Sequence, residues 1–131
     1  MTVVLDASAV IALLREESGS DIVEEMIETA EGSGVSAGYL SAVNLTEILQ
    51  RLAGVELPAL IGGPEPAIVT VPFNAEHART AAGMLEATTP AGLSLADRAC
   101  LALARVMSLP AVTADRVWSE VDVGVEVVQI R

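Results

Sequence analysis

The chain has 131 residues, a net charge of −11 and 52% hydrophobic residues, with almost no aromatic side chains. This length is typical of one domain, so we expect residues 1–131 to form a single domain around an aliphatic core. All seven basic residues are arginines. Such a charge balance argues against non-specific nucleic-acid binding unless divalent cations offset the charge or the arginines gather on one face.

No run of residues is suited to spanning a membrane, and the start of the sequence lacks a secretory-signal pattern. We therefore expect a cytoplasmic protein with no membrane contact.

Short apolar runs alternate with helical patterns along the chain. Strands are predicted, in chain order, at residues 2–6, 35–37 (a weak pattern), 68–73, 111–113 and 126–130. Helices are predicted after the first strand, from a cap at Ser18 or Ser20 to 31, at about 41–52, from the cap Asn74 to about 87, and from 95 to before Pro110, with helical turns at 57–61 and 115–120. This alternation predicts a three-layer α/β domain with a parallel sheet.

Four acidic residues lie where such a sheet forms its ligand crevice, beyond the carboxyl ends of the strands. Asp6 and Asp115 follow predicted strands, and Glu47 and Asp97 lie on helices that would reach the same edge. We therefore expect the four side chains to approach one another.

Each acid, taken alone, also has a structural explanation. Ser94 and Asp97 match a capping box, and Asn44 and Glu47 resemble one. The two acids that follow strands would cap the helices after them.

Considered together, the four acids indicate a metal site. Asp6, Glu47 and Asp97 are embedded in apolar sequence, unlike the acids of the polar stretch from 16 to 31. Carboxylates that converge in a half-buried pocket repel one another and take up protons unless a cation joins them. Hard oxygen ligands of this kind suit Mg²⁺ or Mn²⁺.

Four short motifs occur in order along the chain: Val4-Leu5-Asp6-Ala7-Ser8-Ala9, Asn44-Leu45-Thr46-Glu47, Leu93-Ser94-Leu95-Ala96-Asp97 and Thr113-Ala114-Asp115. In this order and spacing they resemble the PIN-domain family, and most closely its VapC-type toxins, over essentially the whole chain. The resemblance implies a three-layer PIN-like α/β fold, with a central parallel sheet of four to five strands flanked by helices. It also implies a homodimer, because the family is usually dimeric.

The resemblance further implies an endoribonuclease that uses Mg²⁺ or Mn²⁺ to hydrolyse RNA phosphodiester bonds. Such an enzyme is the toxin of a toxin-antitoxin pair, with RNA as substrate and a cognate antitoxin as protein partner. The four acids fall on the family's acidic positions, with Ser8 and Thr113 on its supporting hydroxyl positions. Asp6 and Asp97 would be direct ligands, while Glu47 and Asp115 would complete the shell or orient the attacking water.

Other residues are assigned by their neighbours in sequence. Arg98 and Arg116 are adjacent to proposed ligands, so either one is a candidate for contact with an RNA phosphate, and an ordinary ion pair is an equal alternative. The single His77 is predicted to be a surface residue, because no partner is evident for it. Cys100 and Trp118 are predicted to pack, with Trp118 alternatively forming a wall of the site.

Two alternatives stay open from the sequence. The chain would be a non-catalytic PIN-like binding module if its acids held no metal, or a PIN nuclease of RNA maturation or decay without an antitoxin. Receiver domains and haloacid-dehalogenase-like phosphatases are disfavoured, because the chain has no lysine and Asp6 is followed by Ala7 and Ser8. Nothing in the sequence selects the RNA that would be cut.

Overall fold

A computed structural model describes residues 2–131 of the chain, with five strands and seven helices in that range. The strands are β1 (Val3–Leu5), β2 (Gly38–Ser41), β3 (Ile68–Val71), β4 (Ala111–Thr113) and β5 (Val127–Gln129). The helices are α1 (Ala7–Leu14), α2 (Ser20–Ala30), α3 (Ala42–Arg51), α4 (Ala59–Gly62), α5 (Ala75–Gly83), α6 (Leu85–Thr88) and α7 (Leu95–Met107), and a 3-10 helix spans Arg116–Glu120.

The strands form one sheet in the order β3-β2-β1-β4-β5, and every neighbouring pair is parallel. β1 is the central strand, so the residue after it emerges in the middle of the carboxyl edge. All three residues of β1 are buried, as expected for a parallel strand covered on both faces. The predicted parallel α/β fold is therefore confirmed, with five strands in its sheet.

Two hydrophobic clusters cover the two faces of the sheet. Val3 and Leu5 belong to a cluster that includes apolar residues of α1, α2 and α3. Val4, which points to the opposite face, belongs to a second cluster that is built largely from α7 and includes Trp118. The alternation of side chains along one strand thus produces the three layers.

The second strand lies three residues later than the sequence pattern predicts. Val35 is 59% exposed, whereas Gly38 and Tyr39 pair with β1. A side chain at Gly38 would put its Cβ 3.1 Å from the carbonyl oxygen of Val3. The close approach of two strands thus favours a glycine, a residue that strand propensity disfavours.

The helix predicted at about 41–52 is confirmed, but the cap suggested by Asn44 and Glu47 is wrong. α3 is capped by Ser41, whose Oγ accepts a hydrogen bond from the Val43 amide at 3.2 Å, so Asn44 lies inside the helix instead of capping it. The helix predicted from Asn74 to 87 has the predicted cap but divides into α5 and α6.

His77 is not a surface residue. Its side chain is 4% exposed and packs edge-on to Phe73, with 6.0 Å between ring centroids. The helix face that carries it packs against α7, which its lone position in the sequence did not reveal. Cys100 and Trp118 are buried, as predicted. Within residues 2–131 no helix has the length and apolar character needed to cross a bilayer.

Candidate functional site

Asp6 lies at the centre of the carboxyl edge, between β1 and α1, and only 4% of it is exposed. It occupies the cap position of α1, but its side chain does not cap the helix. Its Oδ2 instead accepts hydrogen bonds from Ser8 Oγ at 2.7 Å and from Thr113 Oγ1 at 3.0 Å. The carboxylate is therefore held from one side by two hydroxyl groups.

The two hydroxyl groups are themselves held by the end of β4. Ser8 Oγ accepts a hydrogen bond from the Ala114 amide at 2.9 Å, and Thr113 Oγ1 accepts one from the Asp115 amide at 3.0 Å. Because both oxygens accept from main-chain amides, their own protons are directed to Asp6. Ser8 and Thr113 thus act as supports of that carboxylate in the geometry, although they are 105 residues apart in sequence.

Asp97 and Asp115 both make the cap interactions that the sequence suggests. Asp97 Oδ2 accepts from the Ser94 amide at 2.8 Å while the Asp97 amide donates to Ser94 Oγ at 3.1 Å, which completes the capping box of α7. Asp115 Oδ1 accepts from the Val117 amide at 3.1 Å. These bonds fix one oxygen of each carboxylate at a helix start.

Glu47 is held by Asn44, a residue whose role the sequence did not reveal. Asn44 Nδ2 donates to Glu47 Oε2 at 3.2 Å and to the Ala96 carbonyl oxygen at 3.1 Å. The amide is fully buried and thereby joins α3 to the first turn of α7, next to Asp97. The spacing of three residues between Asn44 and Glu47 puts both side chains on one helix face, and this spacing is the sequence signal for their contact.

The four acids line one cleft of about 180 Å³ at the carboxyl edge of the sheet. The lining residues are Asp6, Ala7, Ser8, Ile11, Glu47, Arg51, Asp97 and Asp115. Each carboxylate uses one oxygen in the hydrogen bonds above. Within residues 2–131, no hydrogen bond reaches the other oxygen of any of them, namely Asp6 Oδ1, Glu47 Oε1, Asp97 Oδ1 and Asp115 Oδ2.

The cleft disfavours negative charge at its buried carboxylate. Burial raises the pKa of Asp6 from 3.8 to about 6, the hydrogen bonds from Ser8 and Thr113 oppose the rise, and the charges of Asp97 and Glu47 add to it. Burial and the same acids raise the pKa of the Cys100 thiol, so this cysteine stays protonated beneath the cleft. A cation in the cleft would relieve the repulsion that Asp6 experiences.

The donor set fits a hard divalent cation, because each of the four carboxylates, including that of the buried Asp6, keeps one oxygen that makes no hydrogen bond within residues 2–131. The site is open, however, and is not preassembled. In the part of the chain that the structure describes, no three His, Cys, Asp or Glu side chains are already grouped closely enough to hold a metal ion.

The arginine that lines the cleft is not one of those singled out from the sequence. Arg98 Nη1 donates to the Leu93 carbonyl oxygen at 2.9 Å, and neither Arg98 nor Arg116 lines the cleft. Arg51 does line it, one helical turn after Glu47 on α3. The spacing of four residues from a proposed ligand would have identified it.

A family model described as the PIN domain matches residues 3–124. No curated protein matches the chain at a significant level.

Several solved structures share the fold over nearly the full length. A toxin-antitoxin complex from Klebsiella pneumoniae aligns with 14% identity and a TM-score of 0.68, covering 98% of each chain. FitAcB from Neisseria gonorrhoeae aligns with 20% identity and a TM-score of 0.68, covering 99% of this chain and 98% of that one. VapBC2 from Rickettsia felis, bound to a DNA fragment from its promoter, aligns with 12% identity and a TM-score of 0.67, covering 98% of each. At these identities the solved structures show a shared fold and nothing more.

The family match spans almost all of the sequence and includes every acid of the cleft. The chain therefore belongs to the PIN-domain family.

Proposed function

We propose that this chain is a metal-dependent endoribonuclease that hydrolyses RNA phosphodiester bonds as the toxin of a toxin-antitoxin pair. PIN-domain proteins are nucleases, which gives the general class of reaction. One observation carries the proposal for this chain. Four carboxylates from separate parts of the sequence line one cleft, and each keeps an oxygen that makes no hydrogen bond within residues 2–131.

We assign Asp6 and Asp97 as direct metal ligands, with Glu47 and Asp115 completing the shell or orienting the attacking water. When bound, Mg²⁺ or Mn²⁺ would stabilise charge on the scissile phosphate and lower the pKa of a water molecule. Ser8 and Thr113 occupy one oxygen of Asp6, which leaves its other oxygen available for the ion. The expected products carry a 5′-phosphate and a 3′-hydroxyl.

Replacement of Asp6 by asparagine tests the proposed chemistry. Asp6→Asn keeps an oxygen that can accept from both hydroxyl groups but removes the negative charge, so we expect a loss of metal-dependent cleavage of more than about 100-fold. Cleavage of total cellular RNA by purified protein is measured with Mg²⁺ or Mn²⁺, and 5′-phosphate ends are mapped.

Asp122→Asn is the matched control, because Asp122 is exposed and does not line the cleft. It makes the same chemical change and should leave cleavage intact. Activity of Asp6→Asn equal to that of Asp122→Asn would contradict the assignment.

We also propose an antitoxin partner and a homodimer. The solved structures that share this fold include a toxin-antitoxin complex, FitAcB and VapBC2. On this chain, Leu49 and Val55 are 46% and 65% exposed at and after the end of α3, which leaves apolar surface for a partner. The net charge of −11 favours a partner with a basic segment.

Co-expression with the product of the adjacent upstream reading frame tests this partner. We expect the two proteins to purify together, the complex to lose RNA cleavage, and the chain alone to elute as a dimer in light-scattering chromatography. A chain that is monomeric, harmless when expressed alone and indifferent to its neighbour would contradict the toxin assignment. An active nuclease with no such neighbour would instead favour RNA maturation or decay.

One further candidate is a non-catalytic PIN-like binding module, in which the acids of the cleft hold no metal. Isothermal titration with Mn²⁺ separates the two functions. Stoichiometric binding that disappears in Asp6→Asn supports the nuclease, whereas no binding to the wild-type protein supports the module.

A further inference from the structure

Among residues 2–131, Arg51 is the one cationic side chain that lines the acidic cleft. It follows Glu47 by four residues on α3, which puts the two side chains on the same helix face about 6 Å apart along the axis. The cleft therefore has an acidic centre and a basic margin at the end of α3.

The Arg51 guanidinium has no protein partner in the part of the chain that the structure describes. The ion pair found there joins Arg131 to Glu17 at 3.4 Å, and no hydrogen bond from the Arg51 side chain occurs. Arg15 differs, because its Nη2 donates to the Arg51 main-chain oxygen at 3.2 Å. The five donor N–H groups of Arg51 thus remain available for a ligand.

An RNA strand that enters this cleft needs such a donor. The acids would hold cations against the scissile phosphate, but the neighbouring phosphates would still meet a protein of net charge −11. A guanidinium presents a planar fork that binds two phosphate oxygens at once, and its charge does not depend on pH in the physiological range.

We propose that Arg51 binds an RNA backbone phosphate next to the scissile one, so that the strand crosses the cleft over the C-terminal end of α3. This inference rests on the proposed nuclease function and adds the side of the cleft on which the RNA backbone is bound. Arg51 is accordingly a substrate-binding residue and does not take part in the bond cleavage itself.

The competing interpretation is that Arg51 only neutralises the acids of the cleft. The two roles predict different effects on RNA binding. If Arg51 only neutralises the acids, Arg51→Ala should increase the affinity for Mn²⁺, because a repelling cation has been removed, and should leave RNA binding as it was. If Arg51 binds phosphate, the same variant should weaken RNA binding, whatever its effect on Mn²⁺ affinity.

Mn²⁺ affinity is measured on the full chain with its four acids intact, and RNA binding is measured on the full chain in an Asp97→Asn background, which prevents turnover in every variant compared. A fluorescein-labelled single-stranded oligoribonucleotide of mixed sequence is the probe, and anisotropy is measured over a range of salt concentrations. Arg51→Ala should weaken binding by about 10- to 100-fold, and the slope of log K against log salt should fall by about 0.7. Arg51→Lys should recover part of the affinity, because it keeps the charge but not the fork.

Arg79→Ala is the matched control, because Arg79 is an exposed arginine on α5 that lines a different groove. Equal binding by the Arg51→Ala and Arg79→Ala proteins, with cleavage by the wild-type protein intact, would overturn the role of Arg51 and leave the proposed function standing. No cleavage by wild type and no binding of the probe at low salt would overturn both. Circular dichroism melting of each variant verifies that it is folded.

Discussion

At Asp6, burial and the charges of the cleft act on one carboxylate in the same direction. The side chain is 4% exposed, and its pKa is raised from 3.8 to about 6, first by burial and further by Asp97 and Glu47. Two hydroxyl groups limit the rise without cancelling it. The residue is therefore destabilising when it is ionised without a cation, which is typical of a functional site.

This pKa shift predicts how stability depends on pH in the absence of metal. Because the folded state binds the Asp6 proton more tightly than the unfolded state, the stability it contributes is complete below about pH 4 and is lost as pH rises through about 6. Asp6→Asn has no such titration. In chelator, we expect the variant to match the wild-type free energy of unfolding near pH 4, apart from a constant offset, and to gain up to about 3 kcal/mol relative to it near pH 7.5.

Urea unfolding monitored by fluorescence of the single Trp118 measures this difference. Asp122→Asn serves as the control for the loss of one surface charge. Added Mg²⁺ or Mn²⁺ should stabilise the wild-type protein and not Asp6→Asn. A stability difference that is the same at both pH values would show that Asp6 does not carry this titration.

At the scale of elements, the site depends on helix starts that meet at one edge of the sheet. α1 begins directly after β1, α7 begins with a capping box that contains Asp97, and the 3-10 helix begins after Asp115. Capping and metal ligation are therefore compatible for Asp97 and Asp115, because one oxygen of each serves the cap and the other makes no hydrogen bond within residues 2–131. The prediction that these acids cap helices is confirmed for Asp97 and Asp115. Capping does not explain why the four acids share one cleft.

At the scale of the whole molecule, the arginines do not gather around the cleft. Arg79 and Arg105 line a separate groove with Glu76, and Arg105 lies about 12 Å along α7 from Asp97. Of the residues that the structure describes, Arg51 alone contributes basic charge to the cleft lining. Specific binding of RNA by this acidic chain would thus depend on divalent cations and on a small number of arginines, with no broad basic surface.

We propose that residues 1–131 form one folding unit, because β1 contributes side chains to both hydrophobic clusters. Loss of one cluster would expose the central strand and remove support from the other. We expect Trp118, buried in the second cluster, to report the same urea midpoint as circular dichroism of the helices on both faces. Two separate transitions would contradict a single domain.

The sequence by itself determined the order and type of most elements, the parallel α/β class and the four acids that line the cleft. It did so because apolar periodicity, caps and strand ends are local properties, which a short window of residues contains. Only the tertiary structure decided the features that depend on distant neighbours: the position of β2 at Gly38, the burial of His77, the bridge made by Asn44 and the place of Arg51 at the cleft. Each of these is fixed by a contact with another part of the fold, and the free energy of such a contact is not encoded in the residues on either side of it.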